Sequence, residues 1–225
     1  MATQAQKTLF KDRTTLVLRV LLKNPKRPWT VRELIKECNV SAGLISKSTG
    51  TLYDLGMAEI ERGRNGYIQL TKPKELLREW VASYDFSLNT VESLYTPSNN
   101  TLPTLKSFFA KKRWDYALTL HGGANCLTNY VSDENVFVYL PHKIFSSVIK
   151  EAQDRLGFKQ LKQGGNVHFV KPYYKNSVMH GSQIIRGYKV VSNLQLYLDL
   201  YHFAPRGREH AEYLKELLEK EKRFP

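Results

Sequence analysis

Seven residues in the first third of the chain are of types suited to lie against a phosphate backbone or a base edge. Ser41, Gly43, Ser46 and Lys47 fall close together before and within a helical pattern, and Arg62, Arg64 and Asn65 fall in the run Arg-Gly-Arg-Asn-Gly. Small side chains on a helix let its backbone approach a partner closely, and a lysine among them adds a donor and a positive charge. The major groove of DNA, about 12 Å wide, admits such a helix. Arginines on a hairpin tip suit the backbone or minor groove. The plainer readings are a solvated helix and a basic turn that serves solubility.

The elements that must hold these residues are legible around them. At about 100° per residue, Leu44, Ser48, Leu52 and Leu55 share one face with Ile45 at its margin. Gly43, Ser46, Lys47, Gly50, Tyr53 and Asp54 share the other. Ser41 stands as N-cap and Gly56 as the glycine that ends the helix. Before it, Thr30 and Glu33 have the spacing of a capping box, and Val31, Leu34, Ile35 and Cys38 follow i, i+3, i+4, i+7. Residues 58–61 and 67–71 read as strands around the Asn-Gly hairpin signal. Residues 10–23 form a first helix, closed by a loop with Asn24, Pro25 and Pro28. Lys26 and Arg27 at its tip either reach a phosphate or are simply solvated. This order predicts a winged helix-turn-helix domain over residues 8–72.

One cue in the second half is enzyme-like. Gly122-Gly123 reads as opening a helix, as glycine pairs do in nucleotidyltransferase-like domains. There the next strand carries two alternate carboxylates that hold metal ions. The corresponding strand here, Val136-Phe137-Val138-Tyr139-Leu140, has none. Asp133 and Glu134 are adjacent and would point to opposite sides of a strand, as in a solvated turn. His121, His142, His168, His180, His202 and His210 show no spacing that builds a triad or a ligand set. His168, in a strand, reads as a hydrogen-bonded structural residue. No catalytic residue, metal site or cofactor is therefore assigned, and the chain reads as a non-enzyme. Cys38 and Cys126 read as buried thiols of a reducing cytoplasm, without the spacing of a zinc site.

Composition points to a polyanionic partner. The 225 residues carry 34 Lys+Arg against 21 Asp+Glu, a net charge of +13. Residues 1–80 hold 15 basic and 8 acidic side chains, a net of +7, about half of the total. No run of 18 apolar residues occurs and the first residues lack the apolar core of a signal peptide, so a cytoplasmic location is expected, with no membrane contact.

The remaining pattern alternates helix and strand. A helix over residues 73–86 presents Leu76, Leu77, Trp80 and Val81, and the polar stretch 94–103 reads as a linker, so residues 73–103 connect two domains. Beyond it, helices are expected over 102–113, 141–156, 190–200 and 207–222, and strands near 116–119, 135–140 and 166–170, with residues 177–188 a loop of weak strand character. Residues 194–201 are apolar nearly all round and so buried. Arg206-Gly207-Arg208 is basic, either a solvated turn whose arginines satisfy helix ends or pair with Asp199 and Glu209, or an auxiliary phosphate or partner contact. The fold class is α+β: a winged helix followed by a mixed α/β domain. A degenerate nucleotidyltransferase-like fold is one form that second domain could take.

Five blocks, LLREWVASYDF, YALTLHGGANCL, VFVYLP, GGNVHFVKPYY and VVSNLQLYLDLYHFAPRGREHAEYL, occur in an order that resembles the AbiEi family of transcriptional-regulator antitoxins of bacterial type IV toxin–antitoxin systems. The resemblance covers residues 72–216 and makes 104–225 an AbiEi-like antitoxin domain. It implies a DNA-binding repressor that occupies inverted repeats in the promoter of its own operon. It also implies antagonism of a nucleotidyltransferase-like toxin without a stable complex, and no enzymatic activity. Two alternatives stay open on the residues alone. One is a working nucleotidyltransferase; the other is a regulator whose second domain binds a small effector and releases DNA on binding it.

Overall fold

The computed structural model describes residues 8–224. Residues 1–7, on which the signal-peptide reading partly rests, lie outside the described residues. The chain divides into two compact units: one runs to Tyr84 and includes the segment from Leu217 onward, the other is Asp85–Glu216. The division falls inside the 73–103 stretch read as connecting helix and linker.

In the first unit, α1 (Asp12–Lys23) buries Leu16, Val17, Leu18, Val20, Leu21 and Leu22. The capping box forms as expected: the Thr30 hydroxyl accepts from Glu33 N at 3.2 Å, and the Glu33 carboxylate accepts from Thr30 N at 2.8 Å, opening α2 (Val31–Cys38). The N–H and hydroxyl of Thr30, with Arg27 behind them, hold the Glu33 carboxyl below its usual range. Asn39, in the left-handed region at φ 51°, closes α2 and bonds back to Ile35 O at 2.9 Å. Two residues later α3 (Ala42–Asp54) begins. It ends at Leu55, followed by Gly56 at φ +66°. Gly56 N–H donates to Tyr53 O and Met57 N–H to Leu52 O, both at 2.8 Å, which is a Schellman closure. The strands β1 (Ala58–Ile60) and β2 (Ile68–Leu70) pair antiparallel, and Trp29 adds a bridge to Ile68 on the other side of β2. Finally α4 (Pro73–Ser83) buries Leu76, Leu77, Trp80 and Val81. It is shorter than the predicted helix because Asp85 caps a separate 3-10 turn, Phe86–Leu88.

The second unit is a six-stranded mixed sheet in the order β3-β6-β5-β4-β8-β7. Its strands are β3 (Thr90–Leu94), β4 (Ala117–Thr119), β5 (Val136–Tyr139), β6 (Val167–Lys171), β7 (Gln183–Ile185) and β8 (Tyr188–Val190). The helices are α5 (Thr101–Lys112), α6 (Leu120–Ala124), α7 (Phe145–Leu156), α8 (Asn193–Tyr201) and α9 (Gly207–Lys220), whose last turn falls in the segment assigned to the first unit. All four residues of β5 are buried, which explains a strand without alternation. The chain is thus of mixed α+β class.

Three readings change. Residues 94–103 are not a free linker: Leu94 is 1% exposed at the end of edge strand β3, and the Asn166 amide bonds both Thr96 N (3.0 Å) and Thr96 O (2.7 Å), ordering a polar segment that lacks an apolar pattern. Gly122-Gly123 lies inside the five-residue α6 instead of opening a longer helix. A Cβ at Gly123 would meet Leu118 C and O and Leu196 Cδ2 at 3.0 Å, so this glycine lets α6 press onto β4 and α8. Residues 183–190 form a hairpin whose turn, Arg186-Gly187, has φ of 50° and 78°, the conformation of a two-residue primed turn without the Asn-Gly signature.

Candidate nucleic-acid interface

The first unit brings the seven predicted residues onto two exposed features. Ser41 caps α3, its hydroxyl accepting from Leu44 N at 3.3 Å. Gly43, Ser46, Lys47, Tyr53 and Asp54 are exposed along α3, and Gly50 is half-buried. The buried arc is centred differently from the expectation. Ile45 and Leu52 are 0% exposed, Ser48 and Thr49 2%, whereas Leu44 and Leu55 are only half-buried. Two hydroxyls take core positions because they are satisfied within the helix: Ser48 Oγ donates to Leu44 O at 2.7 Å and Thr49 Oγ1 to Ile45 O at 2.9 Å. Ile45 therefore moves from the margin of the packed face to its middle, and the opposite face keeps its predicted members.

Among the described residues no close neighbour accounts for two glycines on that helix. A Cβ added at Gly43 or Gly50 would meet no atom within 4 Å. Glycine in a helix costs about 1 kcal/mol relative to alanine, so these positions are locally unfavourable and sterically unnecessary.

The hairpin tip is built by a different turn from the one its Asn-Gly pair suggests. Glu61 and Tyr67 extend the β1–β2 ladder through reciprocal bonds of 2.9 and 3.1 Å, and Gly66 N–H donates to Gly63 O at 3.0 Å. Arg64 and Asn65 are the central residues of that turn and neither has a positive φ; Gly63 does, at +117°. Gly66 is needed for space, since a Cβ there would sit 2.7 Å from Glu61 O. Arg62, Arg64 and Asn65 are exposed, and among the described residues Lys47, Arg62 and Arg64 have no ion pair. Arg27, by contrast, is already engaged. It bonds Glu33 at 2.6 Å and lies 3.9 Å over the Trp29 ring. Cys38 is buried, and burial, with Glu37 behind it, pushes its thiol up to about 12, an unreactive thiol at neutral pH.

The second unit holds polar clusters that spacing did not reveal. Asp199, fully buried, accepts from Thr119 Oγ1 at 2.5 Å, Gln195 Nε2 at 2.7 Å and Tyr139 OH at 3.1 Å. It is thus engaged by β4, β5 and its own helix, not by Arg206 or Arg208; Arg206 instead pairs with Glu209 at 3.2 Å. His121 and His210, also buried, stack with their Nδ1 atoms 2.9 Å apart. The carbonyl of Pro205, 3.1 Å from His121 Nε2, makes that nitrogen the donor, so His210 Nδ1 donates to His121 Nδ1. Thr128 Oγ1, 2.8 Å away, then donates to His210 Nε2. His168 accepts from Ser93 Oγ at 2.8 Å and donates to Asn135 Oδ1 at 3.0 Å, as a structural histidine would. Asp133 caps its own turn through Asn135 N and Nδ2. Among the described residues no group of three His, Cys, Asp or Glu side chains could hold a metal ion, and no helix is long and apolar enough to cross a membrane. The one sequence signal for the Asp199 cluster was a Gln-x-x-x-Asp pair in an otherwise apolar helix; the histidine pair spans 89 positions and left none.

Comparison with known proteins adds what geometry alone does not. Residues 69–219 match the model of a family described as transcriptional regulator, AbiEi antitoxin, type IV TA system. An uncharacterized protein of Methanocaldococcus jannaschii is 36% identical over 52 residues, 23% of this chain and 36% of that protein. The chain therefore spans about a third of the length of that relative. No solved structure gives a significant match.

Proposed function

This chain belongs to the AbiEi family of antitoxin transcriptional regulators of type IV toxin–antitoxin systems, and from that membership we propose that it is a sequence-specific DNA-binding repressor of its own operon. The first unit is then a winged helix-turn-helix, with α3 as recognition helix and the 61–67 hairpin as wing. The observation that carries this reading is the exposed face of α3. It combines Lys47, which has no ion pair among the described residues, with two glycines that no described neighbour requires and that leave room for a close partner. Ser41, Gly43, Ser46 and Lys47 face the major groove, and Arg62, Arg64 and Asn65 contact the backbone or minor groove. The operator is an inverted repeat in the promoter, read in the cytoplasm. The second unit supplies antitoxin activity, opposing a nucleotidyltransferase-like toxin without forming a stable complex with it.

Fluorescence anisotropy with the promoter of the chain's own operon tests the DNA part. Binding is expected to be tighter than to a scrambled duplex of equal length, and to weaken linearly in log–log form as salt rises, because lysine and arginine contacts release counterions. Equal affinity for promoter and scrambled DNA would remove the repressor reading. Co-expression with the neighbouring toxin gene tests the antitoxin part: growth is rescued while the two proteins fail to co-purify.

A further inference from the structure

The second unit contains a cavity of about 690 Å³ between one face of α5 and the C-terminal end of α7. Three cations line it, Lys111, Lys112 and Arg155, and no carboxylate does. The bias begins in the sequence: residues 93–114 hold four basic side chains and no acidic one. Asn100, Thr104, Ser107 and Lys111 follow one another along α5, a row about 16 Å long at 1.5 Å per residue. Among the described residues the side chains of these four make no hydrogen bond or ion pair, so four donors face the cavity uncommitted.

The two other cations are held in place. Lys112 Nζ and Arg155 Nε meet the same Glu151 oxygen, at 2.8 and 2.6 Å, and the carboxylate cancels only one of the two charges. With Lys111 the site keeps a net charge of +2. Phe108, Pro103 and Leu156 provide an apolar wall. Small-molecule sites have this make-up: a few hundred cubic ångströms, apolar surface and a few convergent polar groups. A lone phosphate would use the cations but leave the apolar wall and most of the volume empty. A bare apolar ligand would strand the cations.

We propose that this groove binds a nucleotide, its phosphates held by Lys111, Lys112 and Arg155 with donors from Ser107 and Thr104, and its base and sugar against Phe108 and Leu156. The nucleotide is either free or the triphosphorylated 5′ end of an RNA strand, since both present the same group. The full chain is titrated by calorimetry with ATP, GTP, adenosine, inorganic tripolyphosphate, and a short single-stranded RNA with a 5′-triphosphate or a 5′-hydroxyl. ATP or GTP should bind more tightly than adenosine and than tripolyphosphate. Lys111→Ala should weaken binding about tenfold, the scale of one lost charge-assisted hydrogen bond. Ser107→Trp, at an exposed position of α5, should abolish binding by filling the groove, with an unchanged circular dichroism spectrum as the check that the variant folds. A triphosphorylated RNA that outcompetes ATP assigns the site to a strand end, and the reverse assigns it to the free nucleotide. Failure of both nucleotides and of the triphosphorylated RNA to bind, tripolyphosphate binding as tightly as ATP, or unchanged affinity in Ser107→Trp would each overturn the proposal. Operator affinity measured on the same variants should stay at the wild-type value, which keeps this outcome separate from that of the DNA-binding reading.

Discussion

Gly43 is where local stability and proposed function pull in opposite directions. Its Cβ position is open space on an exposed helical turn, so Gly43→Ala should raise stability to chemical denaturation by about 0.5–1 kcal/mol. The same methyl would stand between α3 and a DNA groove, so operator affinity should fall even as the fold tightens; a variant both more stable and equally tight would place the DNA elsewhere. Lys47 and Arg64 divide the recognition differently. Lys47→Ala should weaken operator binding and relax base preference, at about 1–3 kcal/mol if the lysine reads a base edge, whereas Arg64→Ala should weaken operator and scrambled duplexes alike. Anisotropy titrations on a panel of single-base operator variants separate the two patterns.

At the scale of elements, what could be read from the sequence was what neighbouring residues decide. Thr30 with Glu33, Ser41 and Gly56 each mark a helix end through a bond spanning three to five residues, and all three ends lie where those residues put them. Where the outcome depended on a distant surface, local reading failed. The buried arc of α3 turned toward Ile45 because hydroxyl side chains, satisfied by their own helix, could take core positions that a count of leucines would refuse. Gly123 serves contact with Leu118 and Leu196, and no pattern around it announces that. The cavity along α5 also escaped, because its wall is completed by α7, more than forty residues on. The hairpin lies between these cases, its position legible and its turn not. Gly66 is the element's tightest point, with a Cβ position 2.7 Å from Glu61 O. Gly66→Ala should therefore displace the tip that carries Arg62 and Arg64, lowering affinity for all duplexes by an amount similar to Arg64→Ala. Hydrogen exchange at residues 61–67 should rise while α1 to α3 stay protected.

The whole chain distributes its titrating groups unevenly. All six histidines lie at or beyond position 121, so the first unit contains none, and two helices and two loops of the other unit meet at the buried pair His121–His210. The groups facing that pair are Thr128, the Pro205 carbonyl, the rings of Tyr130 and Phe203, and Arg206, which lies over Tyr130. No carboxylate is among them, so an added positive charge on His210 has no counter-ion there and sits beside the Arg206 cation. Burial, then His121 and Arg206, holds His210 down at about 4. The unfolded chain takes up that proton near 6.5. Stability is then complete above about pH 6.5 and drains away as the pH falls toward 4, at up to about 1.4 kcal/mol per pH unit, roughly 3 kcal/mol in all. His168, which burial also lowers, acts in the same direction. Between pH 7.5 and pH 5 the second unit should therefore loosen while the first, whose lowered Glu33 titrates only in stronger acid, does not. Hydrogen exchange followed by mass spectrometry should show protection lost around residues 120–130 and 205–213 and retained over α1 to α3. His210→Gln should cost stability at pH 7.5 and flatten the dependence between pH 7.5 and 5. An equal loss of protection in both units would show that the histidine pair does not set the acid response.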